Sequence, residues 1–248
     1  MVGAEFLSVG LPVASLVGGF LESGLMDKAI VLVQIAAAIV SGAVIVRKNL
    51  ELLSITRSGK RFVREFLEGR DVLDYYLLRE KGLRTSLELI YDRTCERMVK
   101  LLSPDVRRSV IGRQGGAETA ALSAREVALV RGTCEHTVRE EKIRVERGMG
   151  FLATVSAASP MLGLLGTVWG VLDALGEKGA DGARSLAAVA PAVSAALVTT
   201  VVGLLVAIPC AIFYWDLSAK VRQLSIDMDG FADELLGRIA CEFQGRAD

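Results

Sequence analysis

Three long stretches of this chain carry no charged side chain: residues 29–46, 149–172 and 185–215. Wound as α-helices they would reach roughly 27, 36 and 46 Å, and the hydrocarbon core of a bilayer needs about 30 Å. Each is therefore read as a membrane-crossing helix, the third long enough to tilt or to project beyond the bilayer. Composition agrees. The chain is 52% hydrophobic with only 6% aromatic residues and a mean hydropathy of +0.43, so its apolar surplus lies in the small residues that close helix packing in lipid requires. A further apolar stretch, Phe6 to Leu25, is broken by Pro12, four glycines and Glu22. It reads as an amphipathic helix at the outer interface. No basic residue precedes Lys28, so the positive region that opens a secretory leader is not expected there.

Lys plus Arg and Asp plus Glu balance at 29 each, which favours neither a nucleic-acid partner nor an acidic substrate. Their placement carries more. Of the 29 basic residues, 22 fall within 47–147. Arg47, Lys48, Arg57, Lys60, Arg61 and Arg64 follow the first span; Arg139, Lys142, Arg144 and Arg147 precede the second. Basic residues near span ends face the cytoplasm, so the large loop and the tail after Trp215 lie inside. The N-terminus and the short connection 173–184 lie outside.

The loop reads as helix. Leu83, Leu87, Ile90, Met98 and Leu101 recur at a spacing of three to four, and so do Val127, Val130, Cys134 and Val138. Ser103-Pro104 resembles an N-cap followed by a first-turn proline, and residues 112–116 form a glycine hinge. No proline occurs from Glu118 until Pro160. One uninterrupted helix is therefore expected to rise through the second span. The fold class is an all-α integral membrane protein whose long helices extend into a cytoplasmic helical domain.

Chemistry-bearing groups are sparse. Cys95, Cys134, Cys210 and Cys241 form no C-x-x-C pair and His136 is the one histidine, so neither a metal site nor a disulfide framework is expected. No nucleophile elbow, zincin motif or phosphate loop occurs, and neither catalysis nor a cofactor is expected. Small residues line the later spans: Ala153, Ala157, Gly163, Gly166 and Gly170, then Ala188, Ala192, Ala196, Gly203 and Ala207. Hydroxyls accompany them at Thr154, Ser156, Ser159, Thr167, Ser194, Thr199 and Thr200. Such groups commonly bond a carbonyl one turn back, and some could instead line an aqueous path. No Asp, Glu, Lys, Arg or His lies within the three charge-free stretches. Intramembrane ionisable groups usually mark ion relays, so a relay here would need a carboxylate from a partner helix.

Residues 163–170 read G-L-L-G-T-V-W-G. The third span has Val189-Ala190-Pro191, then Ala196-Leu197, Thr199-Thr200, Gly203-Leu204 and Ala207-Ile208-Pro209. With the motif and span order together, residues 157–214 resemble the MotA/TolQ/ExbB proton channel family, on its ExbB/TolQ side. The first 110 residues match only in layout. The resemblance implies a homopentamer in the bacterial inner membrane, with the second and third spans around a central pore. An ExbD/TolR-like single-span partner would sit in that pore and supply an aspartate. Protons would be the transported ion, bound phospholipid is compatible, and a TonB/TolA-like periplasm-spanning protein would be driven.

The resemblance further implies that Thr167 and Thr200 face the partner aspartate. Pro160, Gly163, Gly166, Gly170, Pro191, Ala195, Ala196, Thr199, Gly203 and Pro209 would serve the pore or the helix packing. Many ExbB/TolQ members carry a glutamate where this chain has Ala195. Two alternatives follow: a non-conducting membrane scaffold, or a MotA-like stator using another ion or load. The expected order is a periplasmic or interfacial segment (1–28), transmembrane helix 1 (29–46), a cytoplasmic helical domain (47–148), transmembrane helix 2 (149–174), a periplasmic loop (175–185), transmembrane helix 3 (186–215) and a cytoplasmic C-terminal helix (216–248).

Overall fold

The computed structural model describes residues 25–68, 72–73, 76, 85–102, 121–178 and 186–244. The interfacial segment ahead of Leu25, the Ser103-Pro104 cap, the 112–116 hinge and Leu83 lie outside these residues, as does most of the 175–185 loop. Among the described residues every element is helical: α1 (Leu25–Glu68), α2 (Ser86–Leu101), α3 (Ala124–Glu146), α4 (Met149–Lys178) and α5 (Leu186–Ile239), closed by a π turn at Ala240–Gln244. Three helical stretches are long and apolar enough to cross a membrane: α1, the stretch Ala124–Gly176 that holds all but the end of α4, and α5 from Val193 onward.

One sequence expectation is corrected. Helix does not run unbroken from Glu118 into the second span: α3 starts at Ala124 and ends at Glu146, and Gly148 stands at φ +92° before α4 begins. That left-handed backbone is open to glycine and strained for a side chain, so Gly148 stops the helix with no proline present. The helices run on beyond the charge-free stretches. α1 begins at Leu25 and α4 runs to Lys178, which brings Asp27 and Asp173 into the helices.

The chain divides into two compact units. The first takes residues up to Arg47 together with Gly148–Leu217. Its α4 buries Leu152, Val155, Ser159, Gly163, Gly166, Gly170 and Ala174, one stripe at helical spacing. Its part of α5 buries Ala195, Ala196, Thr199, Gly203, Val206, Ala207 and Cys210. Val155, Val206 and Cys210 form a core with Ala37 and Ala38 of α1. The opposite faces expose Met161, Leu164, Leu165 and Val168 on α4 and Leu197, Val201, Leu205 and Ile208 on α5, an outward apolar surface suited to lipid or to neighbouring helices.

The second unit takes Lys48–Arg147 and Ser218 onward. Phe62 and Phe66 of α1, Tyr91 of α2 and Phe231 of α5 form its aromatic centre, with Phe66 5.3 Å from Phe231 and 5.6 Å from Tyr91 in edge-to-face contact. Arg238 stacks 4.8 Å from the Phe66 ring centroid and donates to the Phe66 and Leu67 carbonyls at 3.2 and 3.4 Å, which satisfies two of the carbonyls left open where α1 ends. The helical stripes read from sequence are buried at Leu87, Ile90, Met98, Val127, Val130, Cys134 and Val138, whereas Leu101 is only half-buried. Burial pushes the Cys95 and Cys134 thiols up from their ordinary value, so both stay protonated and inert.

Both short helices start on reciprocal caps. The Thr85 hydroxyl accepts from the Glu88 amide at 3.3 Å while the Glu88 carboxylate accepts from the Thr85 amide at 2.9 Å. Ser123 and Glu126 repeat the arrangement at 3.4 and 2.8 Å. A Ser or Thr with Glu three residues later is a legible helix start.

Candidate functional site

The G-L-L-G-T-V-W-G segment of α4 and the Ala196–Gly203 segment of α5 meet along a seam that glycine makes possible. A Cβ on Gly163 would lie 2.9 Å from both the Thr199 carbonyl oxygen and the Thr200 Cα. One on Gly203 would lie 2.6 Å from the Ser159 carbonyl oxygen. Gly166 abuts the Thr199 side chain, and a Cβ on Gly170 would meet the Ala196 Cβ at 2.7 Å. Backbone and hydroxyl therefore pack where side chains would otherwise hold the helices apart.

Thr167 and Thr200 face each other across this seam with their hydroxyl oxygens 2.8 Å apart. Both are half-buried. Thr167 also reaches the carbonyls of Gly163 at 3.1 Å and Leu164 at 3.0 Å. Thr200 reaches the same Gly163 carbonyl at 3.0 Å, as does the fully buried Thr199, whose other acceptor is the Ala196 carbonyl at 2.7 Å. Three hydroxyls thus converge on one carbonyl oxygen. Each hydroxyl brings a single proton, and a carbonyl oxygen has two lone pairs, one already facing the helix amide. The three protons cannot all point at Gly163, so they share acceptors. Such a set can turn a hydroxyl toward an arriving donor or acceptor without unfolding a turn of helix.

The hydroxyl alternatives divide accordingly. Thr154 bonds the Gly150 carbonyl one turn back at 2.9 Å, and Ser156 bonds that of Ala153 at 2.9 Å. Those two behave as self-satisfied helix hydroxyls. Thr200 instead crosses to α4. Among the other residues singled out, Ala195 and Ala196 are buried, Pro160 is half-buried within α4, Pro209 is exposed within α5, and Pro191 lies in the first two turns of α5.

Sequence reasoning passed over Gln34. It is fully buried on α1 and donates its side-chain amide to the Ser159 carbonyl at 3.2 Å, and a Cβ on Gly203 would lie 3.0 Å from the same nitrogen. Gln34 thus joins α1 to the α4–α5 seam. Asp27, also buried, places Oδ2 3.2 Å from where a Gly170 Cβ would be. A lone glutamine in an apolar run barely lowers its hydropathy, and Asp27 precedes the first charge-free stretch, so neither residue stood out. Among the described residues no cluster of His, Cys, Asp and Glu could hold a metal ion.

Comparison with known proteins places this seam. Residues 109–230 match the model of the MotA/TolQ/ExbB proton channel family, a stretch that contains Thr167, Thr200 and all four seam glycines. The Tol-Pal system protein TolQ of Haemophilus influenzae is 28% identical over 87% of this chain and 89% of its own length. The biopolymer transport protein ExbB of Xanthomonas campestris pv. campestris is 46% identical over 40% of this chain and 39% of its own. That of Neisseria gonorrhoeae is 43% identical over 39% and 44%. High identity is concentrated in a shorter segment, whereas the TolQ likeness extends over most of both chains. With three helical stretches long enough to span a bilayer and the glycine–threonine seam at the matched segment, the chain belongs to the MotA/TolQ/ExbB proton channel family, as an ExbB/TolQ-like member.

Proposed function

We propose that this chain is a stator-like subunit of a proton channel in the bacterial inner membrane. Five copies surround a pore with the Thr167–Thr200 pair facing it, and an ExbD/TolR-like single-span partner supplies the carboxylate. Proton passage there energises a TonB/TolA-like protein for outer-membrane transport or envelope maintenance. The N-terminus lies on the periplasmic side, with the large loop and C-terminus in the cytoplasm. The hydroxyl pair at 2.8 Å carries this reading. It offers donors and acceptors to a carboxyl group within a seam of glycine and alanine. The names of the TolQ and ExbB relatives and the basic residues flanking the spans support it.

Replacing Thr167 and Thr200 by valine keeps shape and removes both hydroxyls. The double variant is expected to assemble normally with its co-expressed partner and to lose proton uptake in proteoliposomes. Uptake equal to wild type would remove both threonines from the path.

One observation favours a second reading. Ala195 is buried at 6% exposure and is a methyl group where many ExbB/TolQ members carry a glutamate, which suits a non-conducting scaffold. A scaffold would tolerate a partner whose membrane aspartate is replaced by asparagine, whereas the channel would stop. A MotA-like stator would differ instead in its ion, and replacing sodium by potassium on both sides would change its uptake.

A further inference from the structure

The second unit carries an open cleft between α1 and α5, about 600 Å³ in volume. Its floor is apolar, made by Phe66, Leu87, Leu224 and Phe231. Asp227 and Glu234 stand on its α5 side and Lys60 on its α1 side. Asp227, Gly230 and Glu234 recur at helical spacing, so they share one face of α5. At Gly230, between the two carboxylates, an added Cβ would meet nothing within 4 Å. Ile226 of the same wall is 56% exposed. The cleft thus offers room for an apolar side chain between two acids.

The outer face of α3 has the converse pattern. Arg139, Ile143 and Arg147 are exposed and recur every fourth residue, so they share one face. Ile143 is 64% exposed, a large apolar side chain between two guanidinium groups. The two arginines lie about 12 Å apart along the helix, and Asp227 and Glu234 about 10 Å. Glu140 lies beside this face and is held by Arg93 of α2. The two patterns also stand at one level. The Lys142 ammonium donates to the Asp229 carboxylate at 2.6 and 2.8 Å, which puts Ile143 within a helical turn of the level of Gly230. Ile143 is itself exposed, so it does not fill the cleft of its own subunit. Among the described residues of this unit, the exposed large apolar side chains outside the cleft are Leu50, Leu53, Leu129 and Ile143. Leu129 lies about 21 Å along α3 from Ile143. Leu50 and Leu53 lie near Asn49, at the level of Lys220.

We infer that the cleft seats α3 of a second copy of this chain, with Ile143 entering at Gly230 between Asp227 and Glu234. The inference rests on the ring of copies proposed above. A rotation axis running along the helices shifts nothing along itself, so a neighbour presents to the cleft what stands at the same level. At that level α3 presents Ile143. Cleft and ridge are different surfaces of one chain, and such a head-to-tail contact closes into a ring. The neighbour's α3 runs antiparallel to α5, so its Arg139 meets Glu234 and its Arg147 meets Asp227. Gln223 holds one Asp227 oxygen and Arg238 one Glu234 oxygen, and a carboxylate accepts several donors. Lys60 repels the arginines and sets them against α5 rather than α1. Burial of Ile143 and Ile226 supplies the apolar part of the contact, and the charges fix its register.

Cysteine cross-linking of the full-length protein in native membranes tests this, in a Cys241→Ser background that removes the exposed native thiol. Ile143→Cys combined with Gly230→Cys is expected to give a ladder of covalent oligomers on mild oxidation, and either substitution alone to stay monomeric. Both positions are exposed and Gly230 has space for a side chain, so the pair is expected to fold. Absence of oligomers from the pair would overturn the contact. Leu129→Cys with Gly230→Cys is expected to cross-link several-fold less, because a disulfide needs its Cα atoms within about 7 Å; equal yields would also overturn it. Arg147→Glu is expected to reduce the ladder several-fold and Asp227→Arg in the same chain to restore it, and a ladder indifferent to Arg147→Glu would overturn the register. Thr167→Val with Thr200→Val is expected to leave the ladder intact, so a ring that cross-links without proton uptake would remove the channel and keep this contact. Five copies by native mass spectrometry with no ladder would remove the contact and keep the ring.

Discussion

Gly203 shows how much of this protein rests on single atoms. A methyl group there would sit 2.6 Å from the Ser159 carbonyl and 3.3 Å from the Gly163 Cα, and backbone cannot yield as a flexible side chain can. Gly203→Ala is expected to cost about 1–3 kcal/mol, the usual range for overpacking, with α4 and α5 pushed apart and the hydroxyl pair broken. Gly42→Ala, where an added Cβ meets nothing within 4 Å, is the matched control. Thermal unfolding in detergent should separate the two, and equal midpoints would show that the seam is looser than its distances. The small-residue spacing made the packing legible from sequence. The resemblance singled out Thr167 and Thr200, because nothing in their spacing distinguishes them from Thr154. Gln34 and Asp27 stayed hidden, since their contacts are with residues more than a hundred positions away.

At the scale of the element, the long apolar helices were plain in the sequence and the helix ends were not. A glycine inside a helical pattern costs only about 1 kcal/mol, too little to announce the break at Gly148. The starts of α2 and α3 were readable, since Thr85–Glu88 and Ser123–Glu126 each fit the reciprocal cap, yet the lack of proline before Pro160 drew the start of α3 back to Glu118. The second cap carries a pH signature. Bonds from the Ser123 backbone and hydroxyl hold the Glu126 carboxyl below its ordinary value of 4.5. A lowered folded pKa means that the cap's contribution is complete above that ordinary value and is lost as pH falls through the lower, folded one. Amide-exchange protection in the first turn of α3 is therefore expected to fall as the solution is acidified below about pH 4.5. Glu126→Gln should abolish that dependence, and Ser123→Ala should weaken the turn by about 1 kcal/mol at neutral pH. Protection that follows pH equally in Glu126→Gln would assign the effect to another group.

For the whole molecule, the question is what covers the outer faces of α4 and α5. Met161, Leu164, Leu165 and Val168 on one, with Leu197, Val201, Leu205 and Ile208 on the other, are exposed in the single chain. Lipid satisfies such a surface as well as a neighbouring helix does, so exposure alone does not choose between them. The half-buried hydroxyls argue for a neighbour. Thr200 crosses to the Gly163 carbonyl of α4, and a carboxyl group arriving beside Thr167 and Thr200 would find donor and acceptor together. Native mass spectrometry of the detergent-purified protein, co-expressed with its genomic neighbour, measures this. Five copies enclosing one or more single-span partners are expected, and single-particle imaging should then place the threonine pair on the inner wall. A monomer or dimer would leave no central path for the pair to line. The hydroxyls would then serve only to fasten α4 to α5, and the role of the protein would be that of a scaffold.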